Sequence, residues 1–145
     1  MRRATLWLGC LLAWVPVAVG EESRLLRHSP AAVRQEVIAV IETQLVAIRA
    51  GDWAGAMLHA AAPLRARLSA AQFGEMIRRH YPVLWRSEPA DYGFVRDNGR
   101  LAVVRVHVRS GSERRTYEYR LLREPEGWRI GSVLPVAADD RRPAL

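Results

Sequence analysis

The sequence predicts an α+β domain in which three N-terminal helices pack on one face of a curved, mainly antiparallel sheet of four to five strands. In the first half of the chain, apolar residues recur every three to four positions, which is the spacing of helices with one buried side. The second half alternates apolar and polar residues between turn sequences, as expected for a meander of strands. The domain is predicted over residues 30–135, between a flexible segment 21–29 and a flexible tail 136–145.

The helical half is divided by residues that favour helix ends. A serine followed by proline suits the start of the first helix, and a glycine suits its end. An aspartate is placed to cap a second helix, which stops before a proline. A serine with glutamine three positions later forms the pattern of a capping box at the third helix. In chain order these residues are Ser29, Pro30, Gly51, Asp52, Pro63, Ser69, Gln72 and the closing Pro82.

Three turn sequences fix the register of the sheet. They are Asp97-Asn98-Gly99-Arg100, Ser110 to Glu113, and Pro125-Glu126-Gly127. They pair residue 95 with 102, 106 with 117, and 121 with 130, which collects the apolar side chains on one face. This inner face, which packs on the helices, carries Val95, Ala102, Val104, Val106, Val108, Tyr117, Tyr119, Leu121, Trp128, Ile130 and Leu134. The opposite, outer face carries Tyr92, Phe94, Leu101, Val103, Arg105, His107, Glu118, Arg120, Leu122 and Arg129.

Residues 1–20 have the pattern of a secretory signal peptide. Arg2 and Arg3 precede an apolar run over residues 6–19, and small residues at Ala18 and Gly20 suit cleavage after Gly20. The run is too short for a membrane span, which needs about 20 residues, so no span is predicted after cleavage. Lipidation of Cys10 is the alternative, but it leaves almost no apolar run before the cut. The sequence therefore predicts a periplasmic or secreted protein whose exported part has no cysteine.

The basic residues do not point to nucleic acid. Every one of the 22 is arginine, and the net charge is +7. The arginines are spread along the chain instead of forming a basic arm, and an exported protein does not meet nucleic acid. They suit solubility or contact with anionic surfaces.

The stretch from Val33 to Leu134 resembles the bacterial domain-of-unknown-function family 4864. The residues that carry the resemblance are Ile48 to Asp52, Ala60-Ala61-Ala62-Pro63, Phe73 to Arg79, Tyr81-Pro82-Val83-Leu84-Trp85-Arg86 and Gly127-Trp128-Arg129-Ile130. Ser69 departs from it, because a turn containing glycine is expected there. The resemblance implies the nuclear-transport-factor-like superfamily, whose fold is a cone of three helices against a curved sheet. It implies no catalytic residue, because this family has no assigned activity and the superfamily includes both isomerases or dehydratases and non-catalytic binding domains.

One polar set on the predicted inner face is a candidate ligand site. Asp91, Tyr117, Tyr119 and Ser132 fall in two neighbouring cross-strand rows, and His59 could reach the same cone. A carboxylate in an apolar pocket has a raised pKa and can act as a general base. The structural alternative is that Asp91 faces solvent at the start of its strand and that buried tyrosine hydroxyls simply find partners.

The outer face is a candidate interaction surface. Tyr92, Phe94 and Val103 are interleaved with Arg105 and Glu118, which the register places opposite each other. Mixed apolar and charged patches of this kind are commonly interfaces. A homodimer through this face is therefore predicted, as the resemblance also implies.

No cofactor or metal is predicted. The four histidines, His28, His59, His80 and His107, lack the spacing of two ligands on one helix face. No glycine-rich phosphate loop is present, and Ser110-Gly111-Ser112 is a hairpin tip rather than a nucleophile elbow.

Three function hypotheses follow. The leading one is an exported, non-enzymatic domain that binds a small apolar ligand or another protein, because no catalytic constellation is found. The second is a cone-pocket isomerase or dehydratase, which requires Asp91 or His59 inside a cavity. The third is an accessory protein that docks to an envelope partner through the outer face.

Overall fold

Within residues 25–137, the part of the chain that the computed structural model describes, helices pack against an open antiparallel sheet. The helices are α1 (Ala31–Ala50), α2 (Trp53–Met57), α3 (Ala62–Arg65), α4 (Ala70–His80) and α5 (Pro82–Trp85). The strands are β1 (Arg27–His28), β2 (Asp91–Tyr92), β3 (Arg96–Asp97), β4 (Leu101–Ser110), β5 (Glu113–Glu124) and β6 (Gly127–Val136). Their order in the sheet is β1-β3-β4-β5-β6, and β2 pairs with β4. The α+β prediction is confirmed, with more helical segments and one strand more than expected. The predicted signal peptide and residues 138–145 of the predicted tail lie outside the described residues.

Local chemistry ends the first helix and starts the second as predicted. Gly51 adopts a left-handed conformation with φ of 69°, and its N–H donates to the last carbonyls of α1. Asp52 then caps α2, because its carboxylate accepts a hydrogen bond of 3.0 Å from the Gly55 N–H. A single glycine and a single aspartate therefore redirect the chain between two helices.

Ser29 does not cap α1, contrary to the prediction. The helix begins at Ala31 after Pro30, and the Ser29 hydroxyl donates to the Asp97 carboxylate instead. The Ser29 N–H also donates to the Val95 carbonyl at 3.0 Å. A charged carboxylate is a strong acceptor for this hydroxyl, so the bond ties the start of the helix to the sheet.

The predicted second helix is interrupted where the chain meets the sheet edge. The Ile130 N–H donates to the His59 carbonyl at 2.8 Å, and the Ala61 N–H donates to the Ile130 carbonyl at 2.8 Å. These bonds hold residues 59–61 extended beside β6. Pro63 consequently lies at the start of α3, where its missing N–H costs nothing, and does not mark a helix end.

The capping box at the start of α4 is confirmed. The Ser69 hydroxyl accepts from the Gln72 N–H at 3.1 Å, and the Gln72 side-chain oxygen accepts from the Ser69 N–H at 2.9 Å. Two donors that would otherwise lack partners are thereby satisfied.

Replacing Ser69 with alanine is expected to lower the free energy of unfolding by about 1 kcal/mol, because the cap of α4 is lost. The conservative variant Ser69→Asp keeps an acceptor at this position and should retain most of the stability. Urea denaturation followed by circular dichroism measures both. If both variants lose the same free energy of unfolding, the Ser69 hydroxyl does not stabilise the protein by capping α4.

The register is confirmed across the two long hairpins. Val106 lies opposite Tyr117 and Leu121 lies opposite Ile130, as predicted. The β3–β4 hairpin differs by two residues, since Asp97 pairs with Ala102. A shift of two preserves the face, and the inner face remains apolar.

The difference in the β3–β4 hairpin comes from the Asn98 side chain. Its amide oxygen accepts from the N–H groups of Arg100 and Leu101, at 2.9 and 2.8 Å. The Asn98 N–H donates to the Leu101 carbonyl, so the turn residues are Gly99 and Arg100. Gly99 takes the positive φ of 87° that this turn needs.

An irregularity between β2 and β3 corrects two predicted placements. Asp91 pairs with His107 and Tyr92 with Val106, one residue out of step with β3. Asp91 is therefore exposed on the outer face, and Tyr92 packs against the core. The prediction of Asp91 on the inner face and Tyr92 on the outer face is wrong, because the extra residue reverses the alternation.

A second bulge lies in β6 at Gly131. The register shifts between Arg120 and Leu121 of β5, so that Ser132 pairs with Arg120 and Leu134 with Glu118. Leu134 thus leaves the inner face, contrary to the prediction, and Val133 packs against the core in its place.

The core lies between α1, α4, α5 and the inner face of the sheet. The most buried large side chains come from α1, the centre of the sheet and α5. They are Val37, Ile41, Leu45, Ile48, Leu84, Val104, Val106, Tyr119 and Leu121. None of the helices within residues 25–137 has the length and apolarity needed to cross a membrane.

Candidate functional site

A cavity of about 50 Å³ lies between the helices and β5–β6. One water needs roughly 10–15 Å³ on such a measure, so the cavity admits a small group of atoms without rearrangement. Its walls are mostly apolar. The lining residues are Gln44, Ile48, Leu64, Phe73, Met76, Ile77, Tyr81, Leu84, Tyr119, Ile130, Gly131, Ser132 and Val133.

Tyr119 is a fully buried polar residue of the cavity wall. The residue is 0% exposed, and its hydroxyl has no hydrogen-bond partner among the described residues. The hydroxyl of Tyr81, by contrast, donates to the Val133 carbonyl at 3.3 Å. Tyr81 also packs on Tyr117, with 5.8 Å between ring centroids. The cavity therefore has one satisfied and one unsatisfied phenol.

These phenols are all protonated at neutral pH. Burial raises the pKa of Tyr119, and the neighbouring Tyr92, Tyr117 and Tyr81 raise it further. Burial likewise raises the pKa values of Tyr81 and Tyr117. A protonated phenol can donate a hydrogen bond, so the Tyr119 hydroxyl is a donor held in apolar surroundings.

Gln44 is a second buried polar residue at the cavity, which the sequence analysis missed. Its side-chain nitrogen donates to the Ala56 carbonyl at 3.3 Å and joins α1 to α2. A signal was available, because Gln44 follows Ile41 by three positions and precedes Ile48 by four, on the apolar stripe of α1. Tyr81, also missed, carries no comparable signal, since it lies between two helices.

The structure brings together only part of the predicted ligand site. Tyr119 lines the cavity, and Tyr117 is buried beside Tyr81. Ser132 also borders the cavity, but the bulge at Gly131 pairs it with Arg120 and so places its side chain on the outer face, contrary to the prediction. Asp91 lies on the other side of the sheet, opposite His107, and cannot reach this space.

His59 also lies away from the cavity. It is half-buried at the β6 edge, where its carbonyl accepts from the Ile130 N–H. Burial and the nearby Arg129 guanidinium lower the pKa of its imidazole. A neutral His59 at the sheet edge is a structural residue of the β6 contact and is not part of the cavity wall.

Only some residues of the predicted interaction surface are exposed in the structure. Phe94 is 80% exposed and Arg105 is exposed, but Val103 is only 8% exposed. Glu118 lies opposite Arg105 as predicted, yet its carboxylate bonds to Arg120 of the same strand at 2.8 Å. The cross-strand ion pair expected from the register is therefore replaced by a pair within β5.

The cavity is lined mainly by apolar side chains, with a few polar residues among them. Among the described residues, the side chains that line it include no carboxylate, imidazole or thiol. The polar side chains among its lining residues are those of Tyr81, Tyr119 and Gln44, together with Ser132, whose side chain the bulge places on the outer face. No group of three His, Cys, Asp or Glu residues within 25–137 is arranged to hold a metal ion. Apolar walls with a few fixed polar atoms are typical of small-molecule sites.

Comparison with known proteins places the chain in one family. Neither the curated proteins nor the solved structures give a match to it. A family model, described as "Domain of unknown function (DUF4864)", matches residues 31–143, which include every helix and all strands except β1. The chain therefore belongs to this family of domains of unknown function.

Proposed function

We propose that this protein is a non-enzymatic binding domain that holds a small, largely apolar molecule with one hydrogen-bond acceptor. The observation that carries the proposal is Tyr119, a residue that lines the cavity and whose buried hydroxyl has no hydrogen-bond acceptor among the described residues. Leaving such a group unsatisfied costs about 1–3 kcal/mol. A carbonyl or ether oxygen on a bound molecule would satisfy it, so the folded protein favours ligands that carry one.

The cavity also limits the size of the ligand. Its volume of about 50 Å³ accepts only a small molecule unless side chains at the border move. Leu64 and Met76 line it and are half-buried, so they stand between the cavity and solvent. Methionine rotates easily and fills irregular space, which lets the border adapt to a longer apolar chain.

Replacing Tyr119 with phenylalanine is expected to weaken binding of a small ketone about tenfold, because one hydrogen bond of about 1.4 kcal/mol is lost. The same change should leave the free energy of unfolding unchanged or raise it by up to about 1 kcal/mol, since a buried unsatisfied hydroxyl is removed. Cyclopentanone and cyclopentane, which differ in the acceptor, are suitable probes in an NMR titration of the two proteins.

The wild type should prefer cyclopentanone, and Tyr119→Phe should bind both probes equally. Tyr81→Phe is the matched control, because that hydroxyl already has the Val133 carbonyl as its partner. Native mass spectrometry of gently purified protein provides a second test, in which a retained molecule appears as extra mass that is lost on denaturation. Equal preference of wild type and Tyr119→Phe for the ketone would contradict the proposal.

We also propose that the fold is a nuclear-transport-factor-like cone and that the protein is exported. Helices followed by a meander, with a cavity between the two layers, support the cone. The bulges near Gly93 and Gly131 support a bent sheet, since bulges increase strand bending. Export rests on the basic start and the apolar run of residues 6–19.

A further inference from the structure

The outer face of the sheet, which is the side turned away from the helices, is strongly basic. Cross-strand pairing places six arginines on it, because residues opposite each other in an antiparallel sheet share a face. They are Arg96, Arg105, Arg109, Arg114, Arg120 and Arg129. Among the described residues the same pairing places three carboxylates on it, Asp91, Glu118 and Glu124, and Glu124 lies at the end of β5, where it pairs with Arg65 of α3.

Four of these six arginines form no ion pair with a carboxylate within the described residues, and three of the four are exposed. Arg120 pairs with Glu118 at 2.8 Å, and Arg109 pairs with Glu88 at 2.7 Å. Arg96, Arg105 and Arg114 are exposed and form no ion pair with any residue in 25–137. The face therefore offers free guanidinium groups spaced across three strands.

Exposed apolar side chains accompany these charges. Phe94 is 80% exposed, and its ring meets the edge of His28 at 5.4 Å between centroids. His28 lies opposite Arg96 and so belongs to the same face. Leu122, in the row of Arg129, is 39% exposed. An aromatic ring left in water beside free arginines suits a partner that is both anionic and apolar.

We propose that the outer face docks onto an anionic phospholipid surface, with its arginines on the lipid phosphates and Phe94 at the level of the headgroups. Guanidinium groups bind phosphate through paired hydrogen bonds, and aromatic rings favour the boundary between water and hydrocarbon. Each basic residue near an anionic bilayer adds about fivefold to binding. The cavity opens on the other side of the sheet, so docking leaves it free.

Charge decides between a bilayer and a second copy of the chain. The homodimer predicted from the sequence would bring two arginine-rich faces together, and like charges at close range oppose such contact. A lipid surface instead supplies negative charge over an extended plane. The guanidinium groups of β3, β4 and β5 can then act together.

The test is sedimentation of the full chain with vesicles of phosphatidylglycerol and phosphatidylcholine, compared with vesicles of phosphatidylcholine alone. The ratio of the two affinities is the measure, because the apolar residues 6–19 are common to all variants and act on both vesicles. The double variant Arg96→Gln with Arg105→Gln should lower the anionic preference about thirtyfold. Phe94→Ser should weaken binding to both kinds of vesicle and leave the ratio nearly unchanged, and added salt should lower the ratio for the wild type.

The matched control is Arg34→Gln with Arg79→Gln, which removes the same charge from exposed positions on the helices. In this control the ratio of the two affinities should stay within about threefold of the wild-type ratio. Charges on the helices lie far from the docked bilayer, so salt screens most of their effect. Equal binding to both vesicles, or equal loss in the two double variants, would overturn the proposal. So would a dimer in analytical ultracentrifugation that the Arg96 and Arg105 variant abolishes, because this outcome assigns the face to a second copy.

Discussion

Replacing Gly74 with valine is expected to lower the free energy of unfolding by about 3 kcal/mol, since no space exists for a side chain there. A Cβ atom on Gly74 would lie 2.7 Å from three atoms of the Trp53 indole. The indole cannot easily withdraw, because Phe73 and Trp85 flank it at 6.4 and 6.5 Å between centroids. The Arg78 guanidinium covers it at 5.6 Å. The contact between α2 and α4 therefore depends on this glycine.

Urea denaturation of Gly74→Val and of a matched control measures the effect. Ala71→Val, at an exposed position of the same helix, reports the cost of valine in a helix, which is well below 1 kcal/mol. A double-mutant cycle with Trp53→Ala isolates the clash, since the cost of Gly74→Val should largely disappear in that background. An undiminished cost there would place the constraint somewhere other than the indole.

The helix ends were predictable because residues within a few positions of one another determine them. Gly51 and the capping box of Ser69 and Gln72 depend on local backbone and side-chain chemistry. Ser29 was not predictable in the same way. Its hydroxyl bonds to Asp97, a partner 68 residues away that only the folded sheet brings close.

The register of the sheet could be predicted only as far as its strands are regular. Alternation and turn sequences place the β4–β5 pairing correctly along its whole length. They fail at the two bulges, where an extra residue reverses the faces of Tyr92 and Leu134. Gly93 and Gly131 are the available signals, since an isolated glycine in a strand often marks a bulge.

The candidate site, too, could be predicted only where its residues lie in regular strands. Tyr119 reaches the cavity from a regular strand whose register the turns fix, whereas the bulge at Gly131 places the Ser132 side chain on the outer face. Tyr81 lies in the segment between two helices, and sequence periodicity says nothing about where such a residue points. Its place at the cavity is fixed by the hydrogen bond from its hydroxyl to the Val133 carbonyl of β6, which joins the α4–α5 junction to the sheet.

The bulge between β2 and β3 predicts opposite outcomes for two aromatic residues that are two positions apart. Tyr92→Ala is expected to lower the free energy of unfolding by about 2–3 kcal/mol, because the ring packs against the core. Phe94→Ala should change it by less than about 0.5 kcal/mol, because its ring is 80% exposed. Strict alternation of a regular strand would give the two rings the same face and similar costs.

Tyr92→Phe separates the ring from its hydroxyl in the same experiment. The hydroxyl is buried and has no hydrogen-bond partner among the described residues, so its removal should leave the stability unchanged or slightly raised. Chemical denaturation of the three variants under one set of conditions measures all of these changes. Similarly small losses for Tyr92→Ala and Phe94→Ala would restore the register without a bulge. It would then return Tyr92 to the outer face and Asp91 to the cavity side, where a carboxylate could take part in proton transfer.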